Sequence, residues 1–438
     1  MQKIPPQLSL KKIFIFWLPL GATWLMMAIE GPFLAALIAR LAEPKFNLAA
    51  YGVAFAFALI IEAPIIMIMS ASTALVKDRQ SFYKLKKFTY SLNSLITIVM
   101  VIIIIPPIFY FLTEDLIGLP QRIAYLTHIA TIIMLPWAGA IGYRRFYQGI
   151  LIRNNLTRRV AYGTVIRMIT MAITALVLYI YFDIPGVAVG ATALSVAVIA
   201  EAVASKIMVS GVLKKLSNPS RTSDGELTYK GIYKFYYPLA LTALISLGVH
   251  PIVTFFIVKS RMPIESLAAL PVITSFVFIF RALGLSYQEV VIAYLSENKR
   301  SYIPLRNFAI ILGGLLTIVL FFVAFTPLSN FWFIDISGLS YSLSEFAKTP
   351  LMIMAIIPAL TVLICFQRAV LVSDQNTGPI TLGTAIEFAL IIIIMFVSIN
   401  MLSLVGAIAA TSSFVIGRIA ANIYLTTSVN KSIKNLSA

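Results

Sequence analysis

Glu62 and Arg281 occupy the same place in two matching strings, Ile60-Ile61-Glu62-Ala63 and Ile279-Phe280-Arg281-Ala282, and carry opposite charges. Both strings are otherwise apolar, and an ionised side chain in such a run is costly unless it is paired, hydrated or used by a ligand. The chemistry on offer is charge recognition. A guanidinium gives a carboxylate or phosphate charge-assisted, bidentate hydrogen bonds, and a carboxylate can compete for that guanidinium or hold a cation. Glu30 and His250 flank Pro32 and Pro251 at nearly equivalent positions, and Glu289 follows Arg281 by about two helical turns. Together these residues form a polar ladder along a central cavity, with Glu62, Arg281, His250 and Glu289 as candidate substrate-binding or gating groups. The alternative is a structural Glu62 and Arg281 pair closing the cavity, with His250 capping a carbonyl freed at a kink.

A second set of charges is satisfied more locally. Arg167 and Glu201 flank a turn near 184, and Glu387 and Arg418 flank one near 401 with the signs exchanged, so antiparallel neighbours hold each pair at one depth. The strings Gly163-Thr164-Val165-Ile166-Arg167 and Gly383-Thr384-Ala385-Ile386-Glu387 again match. We expect structural ion pairs here, one per half; the competing reading is a role in transport.

The elements that position these residues come from a repeat. Pro19-Leu20 and Thr23 return as Pro238-Leu239 and Thr242, Pro32 as Pro251, and Leu48-Ala49-Ala50 as Leu267-Ala268-Ala269, all 219 residues on. Leu85, Phe88 and Leu92 return 220 residues on as Leu305, Phe308 and Leu312. Hydrophobic residues make 60% of the chain and charged ones 12%, too apolar for a soluble core. Runs long enough to cross about 30 Å of hydrocarbon lie near 12–40, 48–76, 88–113, 121–151, 160–182 and 186–213, and again near 232–259, 265–295, 303–326, 345–372, 378–400 and 402–429. The sequence therefore predicts an all-α integral membrane protein of twelve transmembrane helices in two six-helix repeats. An even number per copy makes the repeats parallel.

The formal charge of +17 reflects topology rather than nucleic-acid binding. With the N-terminus in the cytoplasm, twenty-four Lys and Arg lie in or beside cytoplasmic segments, Arg144 and Arg145 among them, and six lie outside: Arg40, Lys45, Arg122, Lys259, Arg261 and Lys348. This is the positive-inside pattern, and it places both termini in the cytoplasm. The polar stretch 214–229 reads as a flexible linker between an N-terminal lobe, 1–213, and a C-terminal lobe, 230–438. Pro32, Pro64, Pro136, Pro251 and Pro358 fall within spans and predict kinks. Phe331-Trp332-Phe333 reads as an interfacial aromatic anchor.

Enzyme signatures such as a Walker A loop, HExxH or GxSxG do not occur. Two histidines and the single Cys365 make neither a zinc site nor a disulfide. A transferase reading would rest on isolated loop acids, Asp224, Glu226 or Asp374. No cofactor is expected, and we read the chain as a non-enzyme.

The strings at 238–261, 48–57, 350–360 and 404–411 resemble the progressive ankylosis protein family, part of the larger group typified by the multidrug and toxin extrusion (MATE) proteins. That resemblance implies two six-helix lobes in a V around a cavity and export of small anions such as citrate, nucleotide or pyrophosphate. It also implies an acidic residue on the first helix for a coupling H⁺ or Na⁺, for which Glu30 is the candidate. The expectation is thus a monomeric secondary transporter in the cell membrane, with a small-molecule substrate and membrane lipids as partners and no nucleic acid. The alternatives are an H⁺- or Na⁺-coupled exporter of organic cations and a lipid-linked saccharide flippase.

Overall fold

Inside hydrocarbon the backbone has no hydrogen-bonding partner but itself, and the apolar runs of this chain become helices almost throughout. The computed structural model describes residues 8–38, 40–216, 227–337 and 339–437; the side chains of Pro32, Pro44, Lys45, His250, Pro251, Ile264 and residues 434–437 are outside that description. Most of the expected linker, including Asp224 and Glu226, and the side chains of Pro32 and Pro251 thus lie outside the described residues.

The first copy comprises α1 (Leu10–Ile38), α2 (Pro44–Glu62), α3 (Ile68–Leu75), α4 (Arg79–Ile103), α5 (Pro106–Tyr110), α6 (Gln121–Ile133), α7 (Leu135–Arg153), α8 (Thr157–Tyr181) and α9 (Gly186–Lys215). The second comprises α10 (Tyr229–Val258), α11 (Pro263–Glu297), α12 (Tyr302–Ala324), the single turn α13 (Leu328–Asn330), α14 (Tyr341–Met354), α15 (Ile357–Ser373), α16 (Gly378–Asn400) and α17 (Gly406–Ser437). By length and composition eleven described helices can cross a membrane, or twelve if α6 and α7, bent by 41° at their junction, count as one span.

Proline explains where the copies differ. Pro64 ends α2 in a 3₁₀ turn, Ala63–Ile65, leaving Glu62 as the last residue of the helix. In the second copy Leu283 stands at the matching position and α11 runs on unbroken. Pro136 and Pro358 sit in the first turns of α7 and α15, where a missing N–H costs nothing. The span expected at 88–113 is shorter: α4 stops at Ile103, and Pro106-Pro107 open a separate helix. Nor is the aromatic triplet a uniform anchor. Phe331 is exposed, but Phe333 is fully buried and Trp332 lies against Phe276 with ring centroids 4.7 Å apart.

The repeat extends to backbone devices that hydropathy does not encode. Glu43 and Met262 both take left-handed φ immediately before a proline-led helix, and Asn155 and Gln375 do so between the next matched pair. Residues 111–116 and 331–336 both wind as π-helical turns. Asn47 Oδ1 accepts from the Val187 amide at 2.9 Å, and Ser266 Oγ accepts from the Ala407 amide at 3.0 Å. Different side chains thus satisfy the same otherwise orphan helix N–H.

Contacts gather into two compact units, Leu25–Ala243 and Met1–Trp24 with Leu244–Ala438. Within the first, α7 packs on α3, α4 and α9, α8 packs on α9, and α2 on α6. Within the second, α15 packs on α11, α12 and α17, α16 on α17, and α14 on α11 and α17. In the unit that contains it, Trp17 Nε1 donates to Ser286 Oγ at 2.8 Å; in the other, Tyr236 donates its hydroxyl proton to the Pro64 carbonyl at 2.7 Å. The α3 and α7 backbones approach so closely at Gly149 that an added Cβ would lie 1.9 Å from Ser72 Oγ and 2.4 Å from the Met69 carbonyl. Gly149→Ala should therefore cost about 3 kcal/mol, the upper part of the overpacking range, read as a fall in melting temperature of the detergent-solubilised protein. An unchanged melting temperature would contradict this packing.

Candidate functional site

The second unit contains a cavity of about 230 Å³. Its polar wall is made by Arg281 from α11, Arg368 from α15, Thr384 and Glu387 from α16, and Arg418 from α17. These helices meet because α15 packs on both α11 and α17, and because Gly417 lets α17 close on the Glu387 carbonyl, 3.0 Å from where its Cβ would stand. Arg418 Nε donates to Glu387 Oε1 at 2.7 Å, and Arg368 Nη2 donates to Thr384 Oγ1 at 2.9 Å. The Nε atoms of Arg281 and Arg368 are buried without a hydrogen-bond partner among the described residues. Three guanidiniums and one carboxylate leave two positive charges in excess at this wall. An uncompensated buried charge is expensive, and the groups that would compensate this one are the oxygens of an anion.

The equivalent region of the first unit is arranged differently. Glu201, on α9 and fully buried, accepts from Arg144 of α7, from Gln148 Nε2 at 3.0 Å and from Thr164 Oγ1 at 3.0 Å. Arg167 of α8 pairs with Glu30 of α1 at 2.5 Å and lies 3.5 Å from Glu201. Glu62 is buried, with Arg145, Arg144 and Arg167 as the arginines whose charge acts on it. Three carboxylates here meet three guanidiniums, so this cluster is balanced where the other is not. Glu30 Oε1 and Glu62 Oε2 have no hydrogen-bond partner among the described residues.

The structure thus brings Glu30, Arg167 and Glu201 into one network and places Glu387 and Arg418 in contact beside Arg281. Glu62 belongs to the first unit and Arg281 to the second, each among charges of its own unit. Glu289 is buried on α11 but does not line the cavity. The side chain of His250 lies outside the described residues.

Two residues were missed by sequence reasoning. Arg144 was counted with the cytoplasmic charges, but it is 3% exposed inside α7 and ion-paired. Its place within the apolar run 121–151 was the available signal. Arg368 stands 220 residues after Gln148, so the register that exposed Glu62 and Arg281 also marked it as a position where charge changes between copies. No group of three or more His, Cys, Asp or Glu side chains fit to hold a metal occurs among the described residues.

No family profile matches the sequence, and none of the curated proteins is significantly similar to it. Solved structures do match. A MOP superfamily transporter from Pyrococcus furiosus, whose reverse polarity of the binding pocket suggests a different function, is similar with a TM-score of 0.74 at 16% identity over 99% of this chain and 98% of its own. A Vibrio cholerae MATE transporter gives 0.74 at 18% identity over 96% and 97%. A eukaryotic MATE transporter gives 0.74 at 12% identity over 97% of each chain. Likeness at these identities is likeness of architecture, and the chain has the all-helical fold of the MATE transporters.

Proposed function

We propose that the chain is a secondary transporter that carries a small anion across the cell membrane by alternating access, with Arg281 and Arg368 as the groups that hold it. The observation that carries this reading is the pair of guanidiniums facing the second unit's cavity with buried nitrogens unpartnered, in a wall with two excess positive charges. A volume of about 230 Å³ supports a small solute, since pockets for drug-sized ligands run from about 300 to 1,000 Å³. Citrate-, nucleotide- or pyrophosphate-like substrates, suggested by the resemblance to the progressive ankylosis proteins, are within this class. The Pyrococcus furiosus neighbour supports it indirectly, as a case in which pocket polarity is reversed within the same fold. The charge asymmetry of the sequence supports both termini in the cytoplasm, and nothing in the chemistry of the site calls for more than one copy of the chain.

Export of organic cations, with Glu30, Glu62 and Glu289 as the cation sites, is less well supported, because Glu30 is paired with Arg167 and Glu62 lies in the field of Arg145, Arg144 and Arg167. A coupling H⁺ or Na⁺ at Glu30 is a second reading, favoured by the unpartnered Oε1 of that residue. Proteoliposomes holding the purified protein should take up labelled citrate or pyrophosphate and not the cationic dye ethidium. Dye transport without anion transport would reject the proposal in favour of the cation exporter, and scrambling of a lipid-linked saccharide without either would favour the flippase. Dependence of anion uptake on an imposed pH or Na⁺ gradient, lost in Glu30→Gln, would establish the coupling role.

A further inference from the structure

The geometry points to Glu387 as the residue that limits how much negative charge the ligand brings, by neutralising Arg418 within the cavity wall; this rests on the anion-transport reading above. The wall of the cavity carries Arg281, Arg368 and Arg418 against Glu387 alone. Glu289, buried on the same helix as Arg281, adds its charge to the field at Cys365 of this wall, so what can be read is the change of one charge at Glu387 or Arg418 rather than an absolute total. In a buried site each unbalanced charge is penalised, because little water is present to solvate it.

Glu387 can tune this sum through Arg418. Its Oε1 is taken by Arg418 Nε at 2.7 Å, and its backbone is held where Gly417 admits α17. The position is one at which the copies differ in sign. Arg167 stands there in the first unit and is paired with Glu30 and Glu201 within a balanced cluster, so the scaffold does not require a carboxylate at this point. Arg418 and Glu387 line the cavity beside two guanidiniums that have no carboxylate of their own, and their pairing removes one positive charge from what a ligand meets. Glu387 is thus a charge-setting residue of the wall.

The test uses aliphatic carboxylates that differ in charge: acetate, succinate and tricarballylate, titrated calorimetrically into the purified full-length protein at a pH above all their pKa values. One charge at ~10 Å through an effective dielectric of ~20 is worth about tenfold between successive anions, and the wild-type order is the reference. Glu387→Gln raises the positive excess by one and should shift that order toward tricarballylate. Arg418→Gln lowers it by one and should shift the order toward acetate. The double variant Glu387→Gln with Arg418→Gln returns the excess to that of the wild type and should restore its order. It also leaves no orphan partner of the pair, so it keeps the test open if either single variant fails to fold. A structural ion pair alone would lower stability in the single variants without reordering the anions. An order that stays the same in the wild type and in every variant that folds, with Arg281→Ala still abolishing binding, overturns the role of Glu387 and leaves the anion reading intact. If the wild type binds none of the three and transports neither citrate nor pyrophosphate, both fall together.

Discussion

Arg281→Ala is expected to lower anion uptake in proteoliposomes by about 100-fold, the loss of roughly 3 kcal/mol that accompanies removal of a charged hydrogen-bond donor from a buried site. Stability should not fall with it. Arg281 Nε has no partner among the described residues, so truncation removes a desolvated charge rather than a native contact, and the melting temperature should stay level or rise. Groups kept for function commonly cost stability in this way. Arg281→Lys should recover part of the uptake, because it keeps the charge but loses the planar fork that binds two oxygens at once. Unaltered uptake in Arg281→Ala would remove the guanidinium from the binding step, while a large fall in melting temperature would make it a structural residue.

The opposite pattern is expected in the first unit. Glu201→Gln should destabilise the protein by about 3–5 kcal/mol, the cost of stranding a buried charge, read as a melting temperature lower by about 10 °C. Shape and much of the hydrogen bonding survive the change, since a glutamine carbonyl can still accept from Gln148 and Thr164. The effect therefore isolates the charge that Arg144 loses. Adding Arg144→Met should restore part of the stability, because removing both members of a buried pair costs less than removing one. A shift within error in the single variant would show that the network is not holding the unit together. Equal stability of the single and double variants would detach Arg144 from it.

The sequence carried the spans and the repeat because both are written in side-chain polarity. Apolar runs set helix length against bilayer thickness, and the limits found for α8, α9 and α16 differ from those runs by only a few residues. The split of 88–113 was missed because Pro106-Pro107 were read as part of an apolar run, although a proline pair can start a helix and cannot continue one. The π-helical turns and the left-handed Glu43 and Met262 were not legible at all: they are backbone choices that several residue types tolerate, and only packing selects them. At the site, Arg167, Glu201, Glu387 and Arg418 were legible from matched depth. So was the pairing of Glu387 with Arg418 and of Arg167 with Glu201, at 2.7 and 3.5 Å. The further partners, Glu30 for Arg167 and Arg144 for Glu201, were not, because depth along a helix says nothing of which face it presents. Arg144 was hidden by the positive-inside rule itself, which assigns an arginine near a span's end to water whenever the run beyond it is basic.

The division of the chain into units has a consequence for the order of synthesis. The unit Leu25–Ala243 includes the first half of α10, and the other unit includes the first half of α1. A ribosome that has made all six spans of the first copy has therefore completed neither unit. The Tyr236 bond to Pro64 and the Trp17 bond to Ser286 form only after translation passes into the second copy. Until then the nascent chain holds Trp17 without its partner, and the carbonyl of Pro64 goes without its phenol. Assembly in the membrane must keep the earliest helix waiting for some of the latest, so a stop codon in the linker would yield a polypeptide with six spans and no finished fold.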